Sequence, residues 1–245
     1  MKGVILAGGL GRRLDPLTRI TNKHLLPVYN KPMIFYPLMT LVEAGIRDIM
    51  IVTGGNNAGD FLRLLGNGSE FGLKHLHYTY QKGEGGIAEA LSLTEHFADK
   101  EKIVVILGDN FFEKPIKKYI ERFKKQDKGA RIFIKKVKDP ERFGVVEIKN
   151  GKIVSIEEKP ERPKSNYVDT GLYMYDSKVF DFIKTLKPSK RGELEITDVH
   201  KKYLALGELE YDIIEGFWSD CGTFESLLET SNFIAKKLRN KSVRK

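Results

Sequence analysis

The residues best suited to chemistry stand near the start of the chain, where an apolar run ends in GGLGRR at residues 8–13. Glycines let the backbone approach a ligand closely and adopt positive φ, so several N–H groups can converge on phosphate oxygens. Arginine adds a two-pronged charge that matches a phosphate. The segment therefore predicts a phosphate-binding loop. The alternative is a tight strand-to-helix turn that carries surface arginines.

Two familiar nucleotide loops do not match this segment. The dinucleotide fingerprint G-x-G-x-x-G requires a third glycine and an acidic residue about twenty positions later. Leu14 stands where that glycine should be, and the sequence holds no acidic residue between Asp15 and Glu43. The ATPase pattern G-x-x-x-x-G-K-[ST] is also absent from the sequence. The loop is therefore expected to bind phosphate in a different way.

Two acidic residues could hold a metal ion beside such a phosphate. Asp109 follows the strongest predicted strand, at residues 103–107, and ligands bind at the carboxyl ends of strands in open α/β sheets. Asp220 precedes a predicted helix, where Thr223 suits the N-cap and leaves Asp220 free. Mg²⁺ prefers one or two carboxylates together with phosphate oxygens. The alternative for Asp109 is a turn residue that accepts backbone N–H bonds.

Other polar residues suggest contacts to the rest of a ligand. Glu158 could accept sugar hydroxyls and Lys159 could hold an anionic oxygen, although alternating surface charge explains this pair equally well. Arg191 lies in a basic loop and is either exposed or directed at a phosphate. Gln81, close to Gly86, could read a base through its amide, or it could serve turn chemistry.

The histidines and the cysteine give no catalytic prediction. The five histidines form no metal-ligand or triad pattern in the sequence, and a surface strand is the better explanation of His75-x-His77. Cys221 has no obvious activating partner and, as the single cysteine, excludes an internal disulfide framework.

Strand and helix signals alternate along the first half of the chain, which is typical of a doubly wound α/β fold. A hairpin with an Asn-Gly turn at residues 150–151 opens the second half. Apolar patterning predicts strands at 4–7, 49–52, 103–107, 145–148, 153–156, 172–175 and 209–214. It predicts helices at 34–44, 61–65, 177–186, 196–206 and 223–239.

The composition narrows the class of protein. Apolar residues make up 41% of the 245 residues, which indicates a globular chain, and no apolar run reaches the ~20 residues of a membrane span. Without a signal-peptide pattern, the cytoplasm is expected. The net charge of +9 falls to +3 without the six cations of residues 236–245. We therefore expect no nucleic-acid partner; a modest positive bias suits a charged nucleotide.

Taken together, the motifs resemble the sugar-phosphate nucleotidyltransferases over nearly the whole chain. The motifs are LAGGLGRRL at 6–14, KHLLPV at 23–28, KPMI at 31–34, LGDN at 107–110, RFGVVE at 142–147, EEKP at 157–160, KSNY at 164–167, TGLY at 170–173, RGELEITD at 191–198 and W-x-D-x-GT at 218–223. The resemblance implies a Rossmann-like, doubly wound mixed sheet with an added hairpin and sugar-binding subregion.

The resemblance also implies the reaction, in which dTTP and glucose 1-phosphate give dTDP-glucose and pyrophosphate by Mg²⁺-assisted in-line attack on the α-phosphate. Implied nucleotide contacts are Leu6, Ala7, Gly8, Gly9, Gly11, Arg13, Lys23, Gln81, Gly86 and Asp109. Implied sugar-phosphate contacts are Asn110, Gly144, Glu158, Lys159, Asp169, Thr170 and Arg191. Arg13, Lys23, Asp109 and Lys159 would be catalytic, and Asp109 and Asp220 would bind Mg²⁺.

One domain is expected over residues 1–245. Residues 1–140 would mainly bind the nucleotide, residues 141–222 would mainly bind the sugar phosphate, and residues 223–245 would form a helix with a basic tail. The resemblance favours a homo-oligomer. The chain ends soon after its last amphipathic helix, so inhibition through a longer C-terminal segment is expected to be missing or altered.

Some residues depart from the family pattern and leave alternatives open. They are Arg12, Gly85, Glu89, Phe143 and Asp169. A UTP-dependent enzyme, or one that uses another sugar 1-phosphate, is the first alternative. The second is a non-catalytic regulatory subunit that binds a nucleotide sugar, because a fold alone does not fix a function.

Overall fold

Strands and helices alternate through the first half of the computed structural model, which describes residues 1–55 and 57–242. Its strands are β1 (Lys2–Ala7), β2 (Pro27–Val28), β3 (Lys31–Pro32), β4 (Asp48–Gly54), β5 (His75–Gln81), β6 (Ile103–Leu107), β7 (Phe111–Phe112), β8 (Ala130–Lys136), β9 (Gly144–Lys149), β10 (Lys152–Glu158), β11 (Tyr167–Tyr175), β12 (Leu209–Ile213) and β13 (Trp218–Ser219). Its α-helices are α1 (Phe35–Glu43), α2 (Ala58–Leu65), α3 (Ile87–Ser92), α4 (Glu95–Ala98), α5 (Lys117–Lys125), α6 (Lys178–Lys184), α7 (Ile196–Ala205) and α8 (Phe224–Ser242).

A mixed sheet forms the centre of the fold and confirms the predicted class. Its main path runs β10-β9-β11-β6-β1-β4-β5, and β8 joins β11 to β12 away from this path. β1 pairs in parallel with both β4 and β6, and β5 extends this parallel half. β11 runs antiparallel to β6 and connects the parallel half to the β9–β10 hairpin.

Apolar side chains bury both faces of the central strands. Along β1, Ile5 belongs to a cluster that α1, α2 and α5 cover, whereas Val4 and Leu6 belong to a second cluster that α3, α6 and α7 cover. Continuous apolar runs are typical of parallel strands with helices on both faces, because neither face is left to water. The core therefore lies in two layers, one on each side of the sheet.

This topology gathers the carboxyl ends of the parallel strands at one edge. The glycine loop follows β1, Gln81 ends β5, and Asp109 follows β6. β11 crosses the same region, and its register is interrupted between Asp169 and Tyr173. Open α/β sheets bind ligands at this edge.

Gly171, in the interruption of β11, marks a close approach of the two halves of the sheet. Its φ is 76°, which favours glycine. A Cβ at this position would lie 2.7 Å from Leu107 Cδ1 and 2.9 Å from Asn110 Nδ2. Glycine therefore lets β11 pass close to the end of β6.

The predicted helices and strands are each found, with changed ends. β11 begins at Tyr167, five residues before its predicted start, because its first part pairs with β8 and β9. In the part of the chain that the structure describes, no helix combines the length and the apolar character that a membrane crossing requires. The end of the predicted basic tail, residues 243–245, lies outside the described residues.

The position of Ile5 between β4 and β6 predicts its contribution to stability. Ile5 is fully buried and faces Ile51 and Ile106 in register. Ile5→Ala should lower the free energy of unfolding by about 2 to 5 kcal/mol, because it removes buried methyl groups and leaves a cavity. Urea unfolding followed by circular dichroism measures this change.

Val154→Ala is the matched control, because Val154 is 44% exposed on β10. Its effect should stay within about 0.5 kcal/mol. Equal losses for the two variants would contradict the assignment of the core.

Candidate functional site

A cleft of about 300 Å³ opens at this edge of the sheet, and both halves of the chain line it. Many of the residues expected at a site from the sequence lie on its wall. They are Leu6, Gly8, Gly9, Arg13, Lys23, Gln81, Gly86, Asp109, Asn110, Gly144, Glu158, Lys159, Asp169, Thr170 and Asp220. The fold therefore brings together residues that stand more than 200 positions apart in the sequence.

Three of the expected residues do not line the cleft. Ala7 is fully buried beneath it. Gly11 packs against the side chain of Lys23, where a Cβ would lie 2.9 Å from the Lys23 Cβ. The guanidinium of Arg191 bonds to Glu195 at 2.7 Å and lies 3.7 Å from the cleft residue Glu158. Arg191 is therefore adjacent to the site through Glu158.

The glycine loop has the backbone that its sequence predicts. Gly9 and Gly11 have φ of 86° and 63°, in the region that favours glycine. A Cβ at Gly8 would lie 2.5 Å from Gln81 Oε1, so a side chain at this position would displace the Gln81 amide. The backbone of Gly8 therefore lies directly against the side chain of Gln81.

Arg12 forms an ion pair with Glu84, so its guanidinium is not free to contact a ligand in the cleft. Its Nη2 lies 2.6 Å from Glu84 Oε2, and the backbone N–H of Leu10 donates to Glu84 Oε1 at 3.4 Å. Glu84 itself lines the cleft. This ion pair ties the glycine loop to the loop that follows β5 and gives Arg12, a departure from the family pattern, a structural partner.

Lys23 and Asp109 form the central ion pair of the cleft. A short 3₁₀ turn, Lys23–Leu25, presents the lysine, and Asn22 caps this turn by accepting the N–H of His24. Lys23 Nζ lies 2.6 Å from Asp109 Oδ2. Burial would raise the pKa of Asp109, but the Lys23 ammonium opposes this effect and holds the pKa below its usual value. Asp109 therefore stays ionised.

His24, behind this pair, stays neutral. It is buried, and burial lowers its pKa to about 3, with the neighbouring Lys23 charge acting in the same direction. Its Nδ1 lies 2.7 Å from Asn22 Oδ1. Because His24 is neutral, buried and bonded to Asn22 in the same turn, its role here is structural.

One wall of the cleft carries aromatic and charged residues that the sequence did not single out as site residues. Trp218 Nε1 donates to Asn110 Oδ1 at 2.6 Å, and the Trp218 ring packs against Phe143. Arg142 Nη2 donates to Asp220 Oδ2 at 3.3 Å. The sequence could have identified Arg142 and Trp218 as site residues, because they belong to the RFG and W-x-D motifs.

Gln81, at the end of β5, is fixed by its neighbours. Its amide Nε2 donates to the carbonyl of Gly86 at 3.1 Å and to the carboxylate of Glu89. An ionised carboxylate only accepts hydrogen bonds, so Glu89 holds the amide nitrogen on its own side. The carbonyl Oε1 is left against Gly8, on the wall of the cleft.

Carboxyl groups dominate the opposite wall. Glu158 ends β10 directly across from Gly144, and burial raises its pKa. Lys159 follows with φ of 41°, and its N–H donates to the carbonyl of Phe143 at 2.9 Å. This backbone bond fixes the start of the Lys159 side chain at the cleft. Lys159 Nζ lies 3.8 Å from Glu158 Oε1.

Asp169 is buried, and no lysine or arginine among the described residues forms an ion pair with it. Burial raises its pKa well above the usual value, and the nearby Glu158 charge adds to this effect. Oδ1 accepts the N–H of Gly171 at 3.2 Å, and Oδ2 lies 3.3 Å from Nδ1 of His200, a buried residue whose pKa burial lowers to about 3. The arrangement fits a protonated acid beside a neutral imidazole.

The side chain of Thr170 is already bonded away from the cleft. Its Oγ1 donates to the carbonyl of Phe133 at 2.8 Å. Thr170 therefore offers mainly its backbone to any ligand. Of the expected sugar-side residues, Glu158, Lys159 and Asp169 present the functional groups.

The chemistry of the cleft is that of binding polyanions and hydroxyl groups. Arg13, Lys23, Arg142 and Lys159 supply positive charge, and the carboxylates lie among them. Among the described residues that line the cleft there is no serine or cysteine. Cys221 lies outside the lining and is buried, and burial raises the pKa of its thiol to about 12. The site is therefore suited to a reaction between two bound ligands.

Comparison with known proteins agrees with this interpretation. The family model for nucleotidyl transferases matches residues 2–237. The glucose-1-phosphate thymidylyltransferase of Neisseria meningitidis is 49% identical over 238 residues, which cover 96% of this chain and 82% of that protein.

Solved structures extend the likeness to the fold. A Bacillus anthracis structure, described as a glucose-1-phosphate thymidylyltransferase in complex with a sucrose, shares 52% identity with a TM-score of 0.91. That match covers 95% of this chain and 94% of the other. A UDP-glucose pyrophosphorylase complexed with UDP-glucose shares 26% identity with a TM-score of 0.84, over 96% of this chain and 98% of the other.

The pairing of Lys23 with Asp109 predicts an energetic coupling. Their side chains are only 16% and 11% exposed. Lys23→Met should lower the free energy of unfolding by about 2 to 3 kcal/mol, because it leaves the Asp109 charge without its partner. The double variant Lys23→Met/Asp109→Asn should recover part of this loss. Urea unfolding without added metal or nucleotide measures both.

Lys201→Met serves as the control for this pair, because the side chains of Lys201 and its partner Asp198 are 47% and 35% exposed, far more than those of the cleft pair. Its loss should stay below about 1 kcal/mol. Strictly additive effects of the two cleft substitutions would show that the pair is not coupled.

Proposed function

Because this chain belongs to the nucleotidyl transferase family, among the glucose-1-phosphate thymidylyltransferases, we propose that it joins dTTP to glucose 1-phosphate, releasing pyrophosphate and dTDP-glucose. The observation that carries the proposal is the cleft, where a glycine loop, cations and carboxylates from both halves of the chain converge. Such a site can hold two polyanions side by side.

The proposed reaction needs positioning more than acid–base chemistry. The nucleophile is a phosphate oxygen of the sugar phosphate, which is already ionised at neutral pH. It attacks the α-phosphorus, the bond to the bridging oxygen breaks, and pyrophosphate leaves on the opposite side. Arg13, Lys23 and Lys159 would overcome the repulsion between the two anions and stabilise the charge that develops. Burial lowers the pKa of His24 to about 3, which makes it a weak base and agrees with a mechanism that requires no general base.

We propose Mg²⁺ as the divalent metal, with Asp109 and Asp220 as its protein ligands. Both carboxylates line the same cleft, and the Lys23 charge favours the ionised form of Asp109. Two carboxylates together with phosphate oxygens form a donor set that Mg²⁺ prefers. When bound, the ion would stabilise negative charge on the α-phosphate and the leaving oxygen.

The base is assigned to the wall formed by Gln81 and Gly86. Glu89 holds the amide nitrogen of Gln81, so Gln81 offers a carbonyl acceptor. Thymine and uracil carry an N3–H donor that such an acceptor can bind, whereas cytosine has an unprotonated N3. The geometry therefore supports a thymine or uracil nucleotide over a cytosine nucleotide.

The sugar phosphate is assigned to the opposite wall. Glu158 can accept hydroxyl protons, and a protonated Asp169 can both donate and accept hydrogen bonds. Lys159 lies beside these groups and would bind the phosphate, with Arg191 behind Glu158. Gly144 packs against Thr197, where a Cβ would lie 2.8 Å from Thr197 Cγ2, and it keeps its backbone beside Glu158.

We also propose a division of labour along the chain. Residues 1–140 mainly bind the nucleotide and residues 141–222 mainly bind the sugar phosphate, because the two walls come from these segments. We place the protein in the cytoplasm, given its single buried cysteine. Exposed apolar side chains on α8, among them Leu228 at 63% exposure, support a homo-oligomer.

Uridylyl transfer is the second candidate, which the likeness to a UDP-glucose pyrophosphorylase favours. A panel of dTTP, UTP and several sugar 1-phosphates decides between these activities by kcat/KM. Tight binding of nucleotide sugar without turnover of any pair would instead indicate a regulatory subunit.

The metal assignment predicts the behaviour of Asp109→Asn. With Mg²⁺, dTTP and glucose 1-phosphate, this variant should release pyrophosphate at least about 100-fold more slowly than the unsubstituted protein, because charge stabilisation at the α-phosphate is lost. A coupled pyrophosphate assay measures the rate. Asp181→Asn, at an exposed carboxylate on α6, should keep full activity. Full activity of Asp109→Asn would refute the metal assignment.

The orientation of Gln81 predicts a change in base selectivity. Glu89→Ala should lower the ratio of kcat/KM for dTTP to that for dCTP about tenfold, because only the Gly86 carbonyl then holds the amide nitrogen and the amide can turn toward the base more readily. Glu89→Gln should retain most of the selectivity, since its side-chain carbonyl still accepts from Gln81. An unchanged ratio in Glu89→Ala would show that Glu89 does not orient Gln81.

A further inference from the structure

A second group of polar side chains lies at the opposite edge of the sheet, where β4 and β5 begin. Asp48 is the first residue of β4 and His75 is the first residue of β5, and they pair in register. His77 follows two positions later on β5, so its side chain leaves the strand on the same face as that of His75. The cluster therefore joins two parallel strands far from the cleft.

The nitrogen and oxygen atoms of this cluster converge on one point. Asp48 Oδ1 lies 3.3 Å from His77 Nε2 and 3.8 Å from His75 Nδ1. All three donor atoms lie within 4.8 Å of one another. A tetrahedral Zn²⁺ with bonds of about 2.0 to 2.1 Å separates its ligand atoms by about 3.3 Å. Small rotations of the exposed His75 ring would bring the cluster to that spacing.

The carboxylate of Asp48 gives a second reason to expect a bound ligand here. Its Oδ1 is buried and has no hydrogen-bond partner within residues 1–55 and 57–242. A carboxylate oxygen held in this way is costly unless something binds it. The groups that face it are the two imidazoles, whose neutral nitrogens are metal ligands.

The surroundings hold the ligands and leave an approach open. The His77 ring packs against Phe97, with ring centres 5.2 Å apart. The Lys2 ammonium lies on the same Phe97 ring and 3.3 Å from Glu101, so its charge is balanced locally. The side chains of His75 and His77 are 52% and 46% exposed, which lets an ion enter and keep a water ligand.

We propose that Asp48, His75 and His77 form a surface site for Zn²⁺ that cross-links the starts of β4 and β5. Two imidazoles, one carboxylate and an open fourth position are a recognised Zn²⁺ ligand set. Hard ions such as Mg²⁺ prefer oxygen ligands and are disfavoured here. The site could not be identified from the sequence alone, because Asp48 belongs to another strand and lies 27 residues before His75.

Isothermal titration calorimetry with ZnCl₂ at pH 7.5 tests the proposal on the full chain after treatment with chelator. The unsubstituted protein should bind one more equivalent of Zn²⁺ than His77→Gln or Asp48→Asn. His96→Gln, which removes a histidine outside the cluster, should bind like the unsubstituted protein. Zn²⁺ should also raise the Tm of the unsubstituted protein and of His96→Gln, and not that of His77→Gln.

Pyrophosphate release measured with Mg²⁺ should be unchanged in His77→Gln, because the cluster lies at the opposite ends of the strands from the cleft. Equal Zn²⁺ stoichiometry in the unsubstituted protein, His77→Gln and Asp48→Asn would overturn the proposal, since any bound ion would then lie elsewhere. Loss of Zn²⁺ binding in His96→Gln alone would also overturn it.

Discussion

The antiparallel pairing of β11 with β6 is the constraint on which the rest of the structure depends. It attaches the hairpin half of the sheet to the parallel half, and it does so where β6 delivers Asp109. Because Gly171 has no side chain, β11 can pass close to Leu107 and Asn110. The interruption of the β11 register places Asp169 beside this point. If these strands were displaced, the two walls of the cleft would no longer face each other.

Electrostatic pairing then sets the state of each wall. On the wall that the glycine loop and the end of β6 form, the Lys23 ammonium holds the pKa of Asp109 below its usual value despite burial. On the opposite wall, Asp169 has no such cation among the described residues, and burial raises its pKa and so favours its neutral form. The pKa values of two aspartates in one cleft are thus shifted in opposite directions by their surroundings. One is suited to a cation and the other to donating a hydrogen bond.

Local signals made much of this arrangement predictable. The apolar run before the glycine loop, the strand that ends at Asp109 and the Asn-Gly hairpin turn each depend on neighbouring residues. Asn150 and Gly151 indeed have φ of 51° and 73°. Contacts between distant residues were not predictable, because no spacing rule reports them. The bond of Trp218 to Asn110 is of that kind.

The sequence also did not allow the direction of each side chain to be predicted. Thr170 belongs to a motif that implied a sugar contact, yet its hydroxyl is bonded to Phe133 because of the path of β8 beside β11. β8 itself was missed, since its short apolar run fits a strand or a buried helix equally well. Arg12 shows the converse: it was unexplained in the sequence, and its ion pair with Glu84 supplies a structural role.

The neighbours of β1 have a consequence for how the chain folds during synthesis. β1 leaves the ribosome before both of its partners, β4 and β6, and Lys2 pairs with Ile103. Until more than one hundred residues have been made, β1 can therefore pair with β4 on one side only, and its other side stays unpaired. Parallel strands with distant partners fold slowly and expose apolar surface meanwhile. The glycine loop, which follows β1, can acquire its final shape only after that wait.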